Sequence, residues 1–183
     1  MGAQQTRERS PEVGVRPKFF NAHGARRNPA RAPLEEMKAV QLEQLEKFRH
    51  LAGTGRWAEI HQDHFDWYMW PIEDGSQDSY NVLEDDVKEL LADEEWLERY
   101  RESLVLVCAA WGWDVANERP IEPLTDGQKW NDWDVRLAKM IRSFWLFGQV
   151  RERRSLQTFA RWIKPHGGLS YGHINLDEVF YMN

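Results

Sequence analysis

A chain of 183 residues with 42% hydrophobic residues is long enough for one domain whose core buries roughly 70% of the unfolded surface, so neither a metal nor a disulfide framework is required. No run approaches the roughly 18 consecutive apolar residues of a membrane-spanning helix, and the single Cys108 excludes an internal disulfide. The net charge of −6 is uneven: residues 1–33 hold seven basic side chains against Glu8 and Glu12, a net of +5 that leaves −11 on the remainder.

Pro11, Pro17, Pro29 and Pro33, with Gly2, Gly14 and Gly24, keep residues 1–33 out of regular structure. An extended basic N-terminal arm of this kind suits an acidic or filamentous protein surface, engaged through Arg7, Arg9, Arg16, Lys18, Arg26, Arg27 and Arg31. Phe19 and Phe20 are its apolar exceptions, fitted to dock it on the body or on a partner; a soluble extension is the alternative. Met-Gly-Ala-Gln-Gln-Thr matches the N-myristoylation pattern, with Thr6 in place. One acyl chain binds membranes with an association constant of only about 10⁴ M⁻¹, so peripheral membrane contact through Gly2 would need Arg7, Arg9 and Arg16 as its second signal. The same Arg-rich leader also fits an organelle transit peptide.

The body begins with a helix over 34–51, built on Leu34, Met37, Val40, Leu45 and Phe48 and stopped by Gly53. A second helix is expected from about Thr54 to Trp70, ended by Pro71. Residues 72–81 read as a polar loop. Leu83, Val87, Leu90 and Leu91 then carry a helical period, and Asp93 caps a longer helix through Trp96, Tyr100, Leu104, Val107 and Cys108 to Gly112. Residues 113–129 have no period. Residues 136–148 make the clearest helix: Leu137, Met140, Ile141, Phe144 and Trp145 recur at three and four residues, Arg136, Lys139 and Arg142 share the other side, Asn131 or Asp132 is the cap and Gly148 the stop. A short helix around Leu156–Ile163 follows, closed by Pro165, and Asn175 caps a last turn at Leu176, Val179 and Phe180. With no alternating strand of useful length, the fold class is all-α: one helical domain of about five to seven helices over 34–164, the arm over 1–33, and a C-terminal loop and short helix over 165–183. Ten Trp imply a rigid core with obligatory N–H contacts.

Chemistry has few candidates. His61-Gln-Asp-His64-Phe-Asp66 places two imidazoles one helical turn apart, a geometry that would serve a metal-dependent enzyme if a carboxylate joined from elsewhere. The structural reading packs His64 beneath aromatics and leaves His61 solvated. Cys108 lies in an apolar run that raises a thiol's pKa, making it inert and suited to an intracellular, reducing compartment: cytoplasmic, nuclear or cytoskeletal rather than secreted. His166 and His173 lie on a glycine-bearing loop with no nucleophile or orienting acid in view. No phosphate-cradling or dinucleotide pattern is present, so no cofactor is expected. Eleven acids crowd residues 73–98 against Lys88 alone, and eight bases occupy 136–164 against Glu152; they either pair inside the fold or leave two poles for a partner. Arg151, Arg153, Arg154, Arg161 and Lys164 with Trp162 could meet nucleic acid, against which the pI near 5.6 argues.

The 136–148 pattern of basic, apolar, basic, two apolar, basic, Ser, apolar and Gly resembles a segment of the conserved N-terminal domain of the opioid growth factor receptor family. Other landmarks follow the same order: Trp57; the run His64 to Pro71, whose Tyr68-Met69-Trp70-Pro71 matches the end of a family segment; Leu83 to Gly112 as a helix pair closed by Trp111-Gly112; and Phe19-Phe20 near the start. Together they span roughly residues 18–164. The resemblance implies an all-helical domain without a reaction, from a family whose namesake is described as a nuclear receptor for an opioid peptide with a role in growth regulation. It carries over no peptide-binding residue by position.

These readings converge on a non-enzymatic helical protein–protein interaction module, a structural subunit of a larger assembly anchored by its arm. The alternative is a receptor-like domain holding a peptide in a groove among Trp57, Trp67, Trp70 and Trp111, and the third reading is the metal-dependent enzyme at His61 and His64.

Overall fold

The computed structural model describes residues 31–183. The arm positions Arg7, Arg9, Arg16, Lys18, Phe19, Phe20, Arg26 and Arg27 and the Gly2 acylation signal lie outside the described residues.

The body is all-α. Its six helices are α1 (Leu34–Gly53), α2 (Asp66–Met69), α3 (Glu84–Ala92), α4 (Glu94–Ala110), α5 (Asp134–Leu146) and α6 (Val150–Ile163). Strands among the described residues are two-residue pairs only, β1 (Trp113–Asp114) with β2 (Arg119–Pro120) and β3 (Ser170–Tyr171) with β4 (Ile174–Asn175). Helix α1 buries Met37, Gln41, Gln44, Leu45, Phe48 and Leu51, a stripe at helical spacing in which two glutamines replace apolar residues. One of them, Gln41, accepts from Trp96 Nε1 at 2.6 Å and donates to the carbonyl of Tyr68 at 2.7 Å, so it joins three segments. Lys38 meets Asp93, Gln41 meets Trp96 and Arg49 meets Glu102, so α1 and α4 run in the same direction. Trp96 lies 5.2 Å from Phe147, and Tyr100 4.3 Å from Phe144, which sets α5 antiparallel to α4.

Caps decide the boundaries. Asp93 accepts from Trp96 N at 2.8 Å and opens α4, as the sequence predicts. Gly148, at φ 64°, ends α5 with the paired bonds Gly148 N to Trp145 O and Gln149 N to Phe144 O. The stop of α1 is two residues later than expected. Gly53 is helical, and the same pair of bonds forms at Gly55 (φ 70°) and Arg56.

Three other expectations are corrected. The helix expected over 54–70 is a 3-10 turn (Trp57–His61) and the single turn α2, because the Asp63 carbonyl is taken by Arg136 Nη2 at 3.0 Å instead of continuing a helix. Helix α6 begins at Val150 rather than near Leu156. Neither Asn131 nor Asp132 caps α5; its N-cap is Trp133, while Asp132 sits at φ 53° and pairs with Lys164. Asn175 does serve the last turn, Asp177–Tyr181, accepting from Asp177 N at 2.7 Å.

Candidate functional site

Helix α5 is buried over most of its surface, its basic residues included: Arg136, Lys139 and Arg142 are 5%, 3% and 0% exposed. The expected polar side of this helix is therefore interior. The segment after α1 supplies its counterions, with Asp66 to Arg136 at 3.3 Å and to Lys139 at 3.9 Å, and Glu73 to Arg142. Part of the predicted acid–base pairing thus closes inside the fold. Burial pulls the Lys139 ammonium down to about 8, with Asp66 opposing that shift.

The two histidines exchange the places expected of them. His61 is the packed one, stacked between Trp111 (5.8 Å) and Trp133 (5.0 Å), with Arg136 Nη1 donating to its Nδ1 at 3.1 Å. Burial first and the Arg136 charge second push its pKa down to about 3, so it is neutral at pH 7. His64 is exposed and stacks flat on Trp67 at 5.0 Å. The imidazoles serve different surroundings, and among the described residues no group of three His, Cys, Asp or Glu is placed to hold a metal. Cys108 is fully buried, and burial drives its thiol pKa up.

The groove expected among Trp57, Trp67, Trp70 and Trp111 is not formed. Trp70 and Trp111 are core residues, 0% and 2% exposed, Trp70 donating to Ser103 Oγ at 3.1 Å; Trp57 packs at the margin of the core. Trp67 lines a concave surface. That surface is a cleft of about 550 Å³ between one face of α1 and the segment 63–80. Val40, Glu43, Gln44 and Lys47 form its helical wall, spaced three and four residues apart as neighbours on one helix face must be. Opposite stand His64 and Trp67, and Tyr68 and Tyr80, whose rings meet edge-on at 5.4 Å. Lys47 pairs with Asp63 across the cleft, and Tyr68 donates to Gln44 Oε1 at 3.1 Å. Gln44 is 6% exposed, and its Nε2 has no hydrogen-bond partner among the described residues. Burial, then the carboxylates of Asp63 and Glu43 among its neighbours, raise the Tyr68 hydroxyl to about 12.

Elsewhere, Arg31 ion-pairs with Asp86 and Ala32 N donates to Ser79 O at 2.9 Å, so the base of the arm is fastened to the acidic stretch. Of the bases considered for nucleic acid, Arg154 pairs with Glu118 and Lys164 with Asp132 and Asp134, Arg151 and Arg161 donate to carbonyls, and Arg153 is partly buried. Trp162 is 55% exposed. The sequence offered no signal for the cleft, since His64, Trp67 and Tyr68 belong to a segment that reads as one amphipathic helix and Tyr80 to one that reads as a polar loop. The α1 spacing of Val40, Glu43, Gln44 and Lys47 is visible in retrospect but marks an ordinary solvated face.

No helix among the described residues is long and apolar enough to cross a membrane. In comparison with known proteins, no family, no curated sequence and no solved structure matches this chain.

Proposed function

We propose that this protein is a non-enzymatic helical interaction module that recognises a protein partner through the cleft between α1 and residues 63–80. The observation that carries the reading is the cleft's construction: the exposed His64 and the half-buried Trp67 and Tyr80 line it opposite a largely polar helix wall. Flat aromatic surface with polar groups at its rim is the composition that protein interfaces favour. The resemblance of its landmark order to the opioid growth factor receptor domain is in keeping with the same class, a domain that binds rather than reacts.

A second reading rests on the arm. Arg31 on Asp86 fixes where the basic segment leaves the body, in line with a subunit anchored in a larger assembly by residues 1–33. One experiment separates the two. A photo-crosslinking amino acid is placed at Gln77, on the rim of the cleft, or at Arg16, in the arm, and the full chain is irradiated in its native cell. A discrete protein adduct at Gln77 supports the cleft; an adduct at Arg16 alone moves the function to the arm, and no adduct at either site rejects both.

A further inference from the structure

The cleft carries information about what fills it. Gln44 is nine-tenths buried, and the Tyr68 hydroxyl satisfies its Oε1, yet its Nε2 faces no acceptor among the described residues. A buried amide donor left without an acceptor destabilises its surroundings, so an acceptor supplied by a partner would recover that loss. The charge of the site points the same way. Asp63 is matched by Lys47, but the exposed Glu43 carboxylate has no cation paired with it among the described residues. Trp67, half-buried and stacked on the exposed His64, lines the cleft, and an indole ring attracts a cation through its quadrupole.

We infer that the cleft takes a basic peptide segment of a partner protein: a Lys or Arg side chain lies over Trp67 toward Glu43, and a main-chain carbonyl of the segment accepts from Gln44 Nε2. This inference rests on the cleft being the interaction surface, and it adds the chemistry of the occupant. A single cationic anchor with one backbone contact predicts modest affinity, strong dependence on the sign of the peptide's charge, and weakening by salt.

The test uses the full chain and fluorescein-labelled octapeptides read by fluorescence polarisation: Gly-Ser backgrounds bearing two Arg, two Lys, two Glu, or none. Arg and Lys peptides binding at least about tenfold tighter than the Glu and neutral peptides is the expected result. Gln44→Met, which keeps the volume and removes the amide donor, weakens the Arg peptide by about three- to tenfold. Glu43→Gln weakens Arg and Lys peptides alike, and Trp67→Leu weakens Arg more than Lys because a planar guanidinium stacks on the indole. Thermal unfolding of each variant checks that the fold is retained. Preference for the Glu peptide, or equal binding of all four, overturns the inference while leaving the cleft as an interface. Binding of Arg peptides that Gln44→Met, Glu43→Gln and Trp67→Leu all leave unchanged overturns it too, since the cation is then held elsewhere. A missing Gln77 adduct removes the underlying reading instead, so the two failures are distinguishable.

Discussion

Three cations buried on one helix make α5 the most demanding part of the fold, and the single carboxylate of Asp66 serves two of them. Removing one partner of a buried pair leaves the other charge uncompensated, which outweighs the loss of the contact itself. Asp66→Asn is therefore expected to destabilise the fold by about 3 kcal/mol or more, as measured by urea unfolding. His61 supplies a pH signature. Its folded pKa, about 3, lies below the ordinary 6.5, so between those values the unfolded chain binds a proton that the folded chain refuses. Stability from this group is complete above pH 6.5 and is lost as pH falls toward 3. His61→Phe should make the fall in stability between about pH 7 and pH 4 shallower than in the parent chain. Lys139 acts at the other end of the scale: with a folded pKa of about 8 against 10.5, it makes stability rise with pH between those values, and Lys139→Met should flatten that rise.

At the scale of elements, α1 and α5 end by the same device, a left-handed glycine that lets two amides reach back to the last carbonyls. The termination of α1 is open to direct test. Gly53 is helical, with open space where an alanine methyl would stand, whereas Gly55 sits at φ 70°. Gly53→Ala should stabilise by about 0.5–1 kcal/mol and Gly55→Ala should destabilise by about 1 kcal/mol, both read from chemical denaturation. Equal effects would mean that α1 ends elsewhere. Why the 54–70 segment breaks is equally specific: Arg136 takes the Asp63 carbonyl, and His61 is pulled between two indoles. Helix periodicity cannot register a guanidinium arriving from 73 residues away.

Across the whole molecule, one core cluster runs from Met37 on α1 to Met182 and includes Trp70, Trp96, Trp111 and Trp113. Elements that share a single core unfold together. Far-UV circular dichroism and tryptophan fluorescence should therefore trace coincident denaturation curves; separated midpoints would divide the body into independent units. Charge is organised at the same scale. Acids of residues 66–74 close on α5, and Glu118, Asp132 and Asp134 meet α6, while Glu84, Asp85, Glu89, Glu94, Glu95 and Glu98 remain exposed on α3 and α4. Arg31 attaches beside that surface, at Asp86, a buried carboxylate in the first turn of α3.

The sequence by itself determined the all-α class, the aromatic core, the Asp93 cap and the Gly148 stop. Each of these depends on neighbours within a turn or two, where side-chain spacing and backbone conformation are direct consequences of residue type. Only the tertiary structure decided that the basic side of α5 is interior, that His61 rather than His64 is the packed histidine, and that the open aromatic surface gathers around Trp67 instead of Trp70 and Trp111. A charge or a ring looks the same in sequence whether it meets water or a partner 70 residues away, and burial is settled by that partner.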